Sequence, residues 1–167
     1  TVSMVNKYFE GKVPSYNGTP NEVDKEFEEY TLEQINKFEE KLNEYEIANS
    51  IQEIWNLVSR TNKYIDETMP WALAKEESDK EKLEACIYHL IENLRKIAIL
   101  IKPFMNDTAE NIFRQIGIEK EELKTWEKIK ENDQLKDIKV IQKGEPIFMR
   151  LNVEEEVEYL KDAMKKA

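Results

Sequence analysis

Cysteine and histidine are almost absent from this chain of 167 residues, where Cys86 and His89 stand alone. A single cysteine excludes an internal disulfide and fits a reducing compartment. One histidine and one cysteine exclude a zinc site of the usual four-ligand type, even though their three-residue spacing on a helix would suit a metal pair. A serine or cysteine nucleophile would have no base but His89. Both residues fall in an apolar stretch, where packing or an internal hydrogen bond is the expected role. There is no Gly-x-x-x-x-Gly-Lys phosphate loop. No apolar run reaches the roughly 18 residues of a membrane span, and the N-terminus lacks a basic-then-apolar signal. Basic residues are outnumbered 25 to 35, giving a formal charge of −10. That balance opposes nucleic-acid binding, because Lys and Arg contacts to phosphate supply most of its affinity. It is compatible with RNA only if contact is confined to a few unpaired bases read by stacking while other domains hold the backbone. The chain alone would then bind RNA weakly.

Four glycines and five prolines leave few breaks, and 36% of the residues are charged. Helices are therefore expected. Val2, Val5 and Phe9 show helical spacing with no cap before them, which reads as a helix cut at its start. Gly11 to Asn21 is a loop marked by Pro14, Gly18 and Pro20, and Asn21 with Asp24 resembles a capping pair. A second helix is predicted to about Tyr45, with Phe27, Thr31, Gln34, Ile35, Phe38, Leu42 and Tyr45 facing inward. The third begins near Glu46 and breaks at Pro70. Glu76 to Lys80 is a polar connection. The most apolar helix, from about Asp79 to Lys102, should be central and ends at Pro103. Asp107 and Glu110 have the spacing of a capping box for a helix ending at Gly117. A short helix with Leu123 and Trp126 follows over Glu119 to Lys130. The chain then turns β-like from Asp137 to Arg150, and Asn152 caps a last helix carrying Val153, Val157, Leu160 and Met164.

The third helix organises the rest. At about 100° per residue, Ile47, Ile51, Ile54, Val58, Ile65 and Met69 form one stripe, which is expected to be buried. Trp55, Asn62 and Asp66 form a second line along its border. Proline ends the helix because it lacks an N–H and clashes one turn back, so Trp71 sits beside the last turn. An amide and a carboxylate can read the edge of a base, and an aromatic ring can stack on its face. By residue type, Trp55 and Trp126 are expected in the core, and Arg60 and Lys63 as surface charges near phosphate.

The run from Asn62 through Tyr64, Asp66, Pro70 and Trp71 to Lys75 resembles the Asn-x-Tyr-[Ile/Val]-Asp-x-x-x-Pro-Trp-x-x-[Ala]-Lys motif of methionyl-tRNA synthetases, in their helical anticodon-binding domain. Ile54-Trp55, Lys102-Pro103-Phe104-Met105 and Gly144-Glu145-Pro146-Ile147-Phe148-Met149-Arg150 are similar to further segments of that family, so the likeness covers nearly the whole chain. It implies that Trp71 stacks on the first anticodon base, a cytosine, with Asp66 and Pro70 in the same pocket and Asn62 beside them. It implies tRNA, through its anticodon loop, and the parent's catalytic domain as partners, with no membrane or DNA partner and a cytoplasmic setting. The parent would join methionine to its tRNA with ATP and Mg²⁺. This chain would hold no cofactor and no catalytic residue, since one histidine cannot furnish the His-x-Gly-His motif of class I synthetases and the Lys-Met-Ser-Lys-Ser loop is absent. The family's Asn-x-x-x-Arg pair would precede Thr1.

The expected fold is all-α, an antiparallel helix bundle of the class Ia synthetase anticodon-binding type. Residues 1–136 would form the bundle, and residues 137–167 an irregular segment plus a helix packed on it. Two alternatives stand beside this reading. One is the anticodon domain of a valine, isoleucine, leucine or cysteine synthetase. The other is a helical protein-interaction module without an RNA role, whose signature would be a buried Trp71 with Asn62 and Asp66 held in internal capping bonds.

Overall fold

The computed structural model describes residues 1–16, 20–132, 135 and 137–166. Gly18, expected as a turn, lies outside them. The architecture is all-α: α1 (Val2–Phe9), α2 (Glu22–Asn43), α3 (Ile47–Thr68), the single turn α4 (Pro70–Leu73), α5 (Lys80–Ile101), α6 (Asn106–Gln115) and α7 (Val153–Lys166). Asn21 caps α2 as expected, its side chain accepting from the Asp24 N–H at 2.9 Å. No glycine or proline separates α2 from α3. The reversal is made by Tyr45 in the left-handed region, φ 61°, which turns its ring into solvent instead of the core.

This short turn makes α2 and α3 antiparallel, so the first turns of α2 meet the last turns of α3. Phe27 stacks on Tyr64 with ring centroids 4.2 Å apart. The inward face of α3 is Ser50, Ile54, Leu57, Thr61 and Tyr64. The expected apolar stripe is therefore corrected by a rotation of roughly 70°. Ile54 is buried, Ile51, Val58 and Ile65 are half-buried, and Ile47 and Met69 are exposed. Hydroxyl residues can occupy the buried line because they bond back to their own helix: Ser50 donates to the Ile47 carbonyl and Thr61 to that of Leu57.

Helix α5 is the central element, with seventeen of its 22 residues buried. Its polar residues are satisfied internally, as burial requires. Asn93 donates to Thr61 and accepts from Thr31, joining α2, α3 and α5. His89 is buried, its ring nitrogens facing the Ala85 carbonyl and the Glu28 carboxylate, each at 2.7 Å. Arg95 is fully buried, pairs with Glu92 and donates to the backbone carbonyls of Leu123, Lys128 and Glu131. It thereby holds a segment that lacks the single helix expected there and forms two short 3₁₀ turns, Glu121–Lys124 and Trp126–Lys128. Trp126 is half-buried against Phe38.

Helix α6 begins at Asn106 with no side-chain cap, so the expected Asp107 capping box does not form. It ends at Gln115, and the chain turns away at Gly117, φ 77°. The irregular segment after it returns to α1: Val13 N–H donates to the Ile138 carbonyl and Val140 N–H to that of Gly11, both at 2.9 Å. Ile138 and Val140 enter the core. Residues 142–152 are then exposed, tied to α6 at Glu145, whose backbone exchanges two hydrogen bonds with the Gln115 amide and whose carboxylate pairs with Arg114 at 2.8 Å. Val153, Val157, Leu160 and Met164 of α7 all remain in solvent, whereas packing on the bundle was expected of them. The Asn152 side chain does accept from the Glu154 N–H at the start of this helix. No helix among the described residues is long and apolar enough to cross a membrane.

Candidate nucleic-acid interface

The residue before a proline is pushed out of the right-handed helical region. Met69 adopts the left-handed one instead, φ 45° and ψ 62°. Its N–H still donates to the Ile65 carbonyl, and its carbonyl accepts from Ala72 and Leu73, at 2.7 and 3.2 Å. One residue thus closes α3 and opens α4, where Pro70 takes the first helical position, for which its fixed φ suits it. The last turn of α3 is tied to α5 through Thr68, whose hydroxyl donates to the Tyr64 carbonyl and lies 3.2 Å from the Cys86 sulfur. Burial pushes the Cys86 thiol up to about 11, which suits a packing residue rather than a nucleophile.

On this fixed corner Pro70 is buried and Trp71 is not; the indole is 48% exposed. Asn62 and Asp66 are exposed one turn apart on α3, with their Cβ atoms about 6 Å from each other by helical geometry. Neither side chain has a hydrogen bond or ion pair among the described residues. The adjacent Glu67 differs, since Arg60 and Lys63 pair with it at 3.0 and 3.4 Å. Arg60 also lies over the Phe27 ring, 5.3 Å from its centroid. It is thus an occupied, largely covered group rather than the free surface charge expected.

The structure therefore displays three of the four expected site residues, Asn62, Asp66 and Trp71, and uses Pro70 to build the corner that carries them. Trp55, assigned to the core by its residue type, is 50% exposed. The helical wheel held the correct signal, because it puts Trp55 on the Asn62–Asp66 line.

A helical bundle that leaves an amide and a carboxylate unused in the last turns of α3, and an aromatic ring half-exposed just past its end, has the features of a binding domain. The chain belongs to the family of anticodon binding domains of methionyl tRNA ligase, whose family model matches residues 13–164. It is 46% identical to the methionine–tRNA ligase of Bacillus subtilis over 98% of its length, and 43% identical to that of Listeria innocua over 99%. It spans about a quarter of the length of these relatives, 24% and 25%. The fold is shared with Mycobacterium tuberculosis methionyl-tRNA synthetase. The methionyl-adenylate-bound form matches with a TM-score of 0.77 at 22% identity, over 85% of this chain and 28% of that one. The free form matches with a TM-score of 0.79, also at 22% identity, over 90% of this chain and 30% of that one.

Proposed function

We propose that this chain reads the CAU anticodon of a methionine tRNA, so that the ligase to which it belongs attaches methionine, with ATP and Mg²⁺, to the correct tRNA in the cytoplasm. Catalysis is assigned to a separate domain of that ligase, and no residue of this chain is assigned to ATP or to the metal. The observation that carries the reading is unused chemistry at the end of α3. Trp71 is half-exposed, and Asn62 and Asp66 have no partner among the described residues. A module with no RNA role was expected to bury the first and cap with the other two.

In this reading Trp71 stacks on the cytosine, worth about 1–3 kcal/mol. The Asp66 carboxylate accepts from the cytosine amino group, which uracil replaces with a second acceptor. The Asn62 amide, able both to donate and to accept, serves the same edge. A wrong base leaves these groups desolvated and unpaired, which is the source of selectivity. The net charge of −10 limits the affinity of the isolated chain.

The test is titration of labelled anticodon stem-loops bearing CAU, GAU or GAC at low salt, with the wild-type and Trp71→Ala proteins. A CAU preference that Trp71→Ala abolishes, with a loss of about tenfold or more, supports the reading. Equal binding of the three loops, with Trp71→Ala altering only stability, overturns it.

A further inference from the structure

Trp55 has no part in that reading, yet it is a large ring left half in solvent on the side of α3 that carries Asn62 and Asp66. It makes no ring contact or hydrogen bond among the described residues, and half of it is exposed. Tryptophan is among the residues with most to gain from burial, and the apolar flank beside it, at Ile51 and Val58, is half-buried. Along the helix, Trp55, Ser59, Asn62 and Asp66 form one exposed line. The line carries no cation of its own, and the nearby Arg60 and Lys63 are both engaged by Glu67. Trp55 lies two helical turns before Asn62, about 10 Å along the axis, on the side away from Trp71. A stacked single strand rises about 3.4 Å per nucleotide, so this distance spans about three nucleotides.

We infer that Trp55 is a second stacking platform for the same RNA loop, taking a nucleotide about three positions from the base held at Asn62 and Asp66, at or beyond the edge of the triplet. This inference rests on the anticodon-reading proposal and deepens it. Every base has a π-face, so stacking on an unaccompanied indole is tolerant of sequence. Trp55 then contributes affinity for the loop, and Trp71 with Asp66 contributes discrimination. Because no cation is involved, the contribution of Trp55 does not depend on salt.

The test uses the same three stem-loops with Trp55→Ala, Trp55→Gln and Trp55→Phe. Trp55→Ala and Trp55→Gln are expected to weaken binding of all three loops about equally, by about tenfold. The CAU preference, the slope of affinity against salt and the melting temperature should be unchanged, and Trp55→Phe should retain most of the affinity. Unchanged affinity in Trp55→Ala and Trp55→Gln, with the CAU preference still lost in Trp71→Ala, overturns the inference and leaves the anticodon reading standing. Loss of CAU preference in the Trp55 variants overturns the sequence-tolerant role. Equal binding of the three loops by the wild-type chain overturns the anticodon reading itself, and the inference with it.

Discussion

The Tyr64 hydroxyl donates to the Asp24 carboxylate at 2.6 Å, joining the last turns of α3 to the first turn of α2 where both side chains are buried. The corner that displays Trp71 begins five residues beyond Tyr64, so this bond fixes the base of the candidate site. Tyr64→Phe keeps the stack on Phe27 and removes only the hydroxyl, leaving a buried carboxylate short of a donor. A loss of about 1–3 kcal/mol is expected. It should appear as a lower midpoint in urea unfolding with an unchanged m-value.

Alkaline pH above about 9 should destabilise the fold. Burial raises the Cys86 thiol from 9.0 to about 11. It also raises the Tyr64 phenol, whose ionised form would meet the Asp24 carboxylate. A raised folded-state value means that the neutral form is favoured in the fold. The Cys86 contribution is thus complete below about pH 9 and lost as pH climbs through about 11, an effect on the order of 3 kcal/mol. Burial lowers the Lys96 ammonium, which acts in the opposite direction and blunts the decline. Urea unfolding at intervals from pH 8 to 11 checks this, and Cys86→Ala should flatten the curve.

Arg95 organises a region with little regular structure of its own. Its guanidinium meets Glu92 and three backbone carbonyls of residues 123–131. Arg95→Met strands a buried carboxylate and frees those carbonyls, so a loss of about 3–5 kcal/mol is expected. Adding Glu92→Leu removes the stranded charge and should restore a large part of the loss. Thermal unfolding of the single and double variants measures the coupling.

Gly117 carries two requirements at once. Its φ is 77°, and a Cβ placed on it would lie 1.9 Å from the Lys139 carbonyl oxygen. Gly117→Ala therefore adds a backbone cost of about 1–2 kcal/mol to a clash that the chain can relieve only by moving the segment that pairs with α1. Faster amide exchange at Val13 and Val140, whose N–H groups make that pairing, would report the release.

The element order and the central place of α5 were legible because apolar spacing and prolines mark them. The rotation of α3 was not. Its buried line contains Ser50 and Thr61, polar by type but bonded to their own helix, while Ile47 and Met69 lie outside. The α2–α3 turn was hidden because Tyr45, not glycine, takes the left-handed conformation there. The Asp107 and Glu110 spacing suggested a cap that the backbone does not use. Within the candidate site, the motif named Asn62, Asp66 and Trp71, and the wheel put Asn62 and Asp66 on one line with Trp55. That this line faces solvent, ring included, depends on which way α3 is rolled, and only the packing of α2 and α5 decides that.

Asp24 and Asp66 are carboxylates in opposite settings, and the proposed base contact falls on the second. Asp24 is buried and accepts from Tyr64, so Asp24→Ala orphans a buried hydroxyl and should cost about 1–3 kcal/mol. Asp66 is exposed on a helix and has no partner among the described residues, so Asp66→Ala should leave stability within about 0.5 kcal/mol. Alanine is also the better helix former. Any change that Asp66→Ala makes to anticodon binding then comes from contact with the base, because the scaffold beneath it is intact. If Asp66→Ala instead proved as destabilising as Asp24→Ala, the carboxylate would be holding the fold together, and its assignment to a base edge would fail. Chemical denaturation of both variants beside the wild type separates the two outcomes.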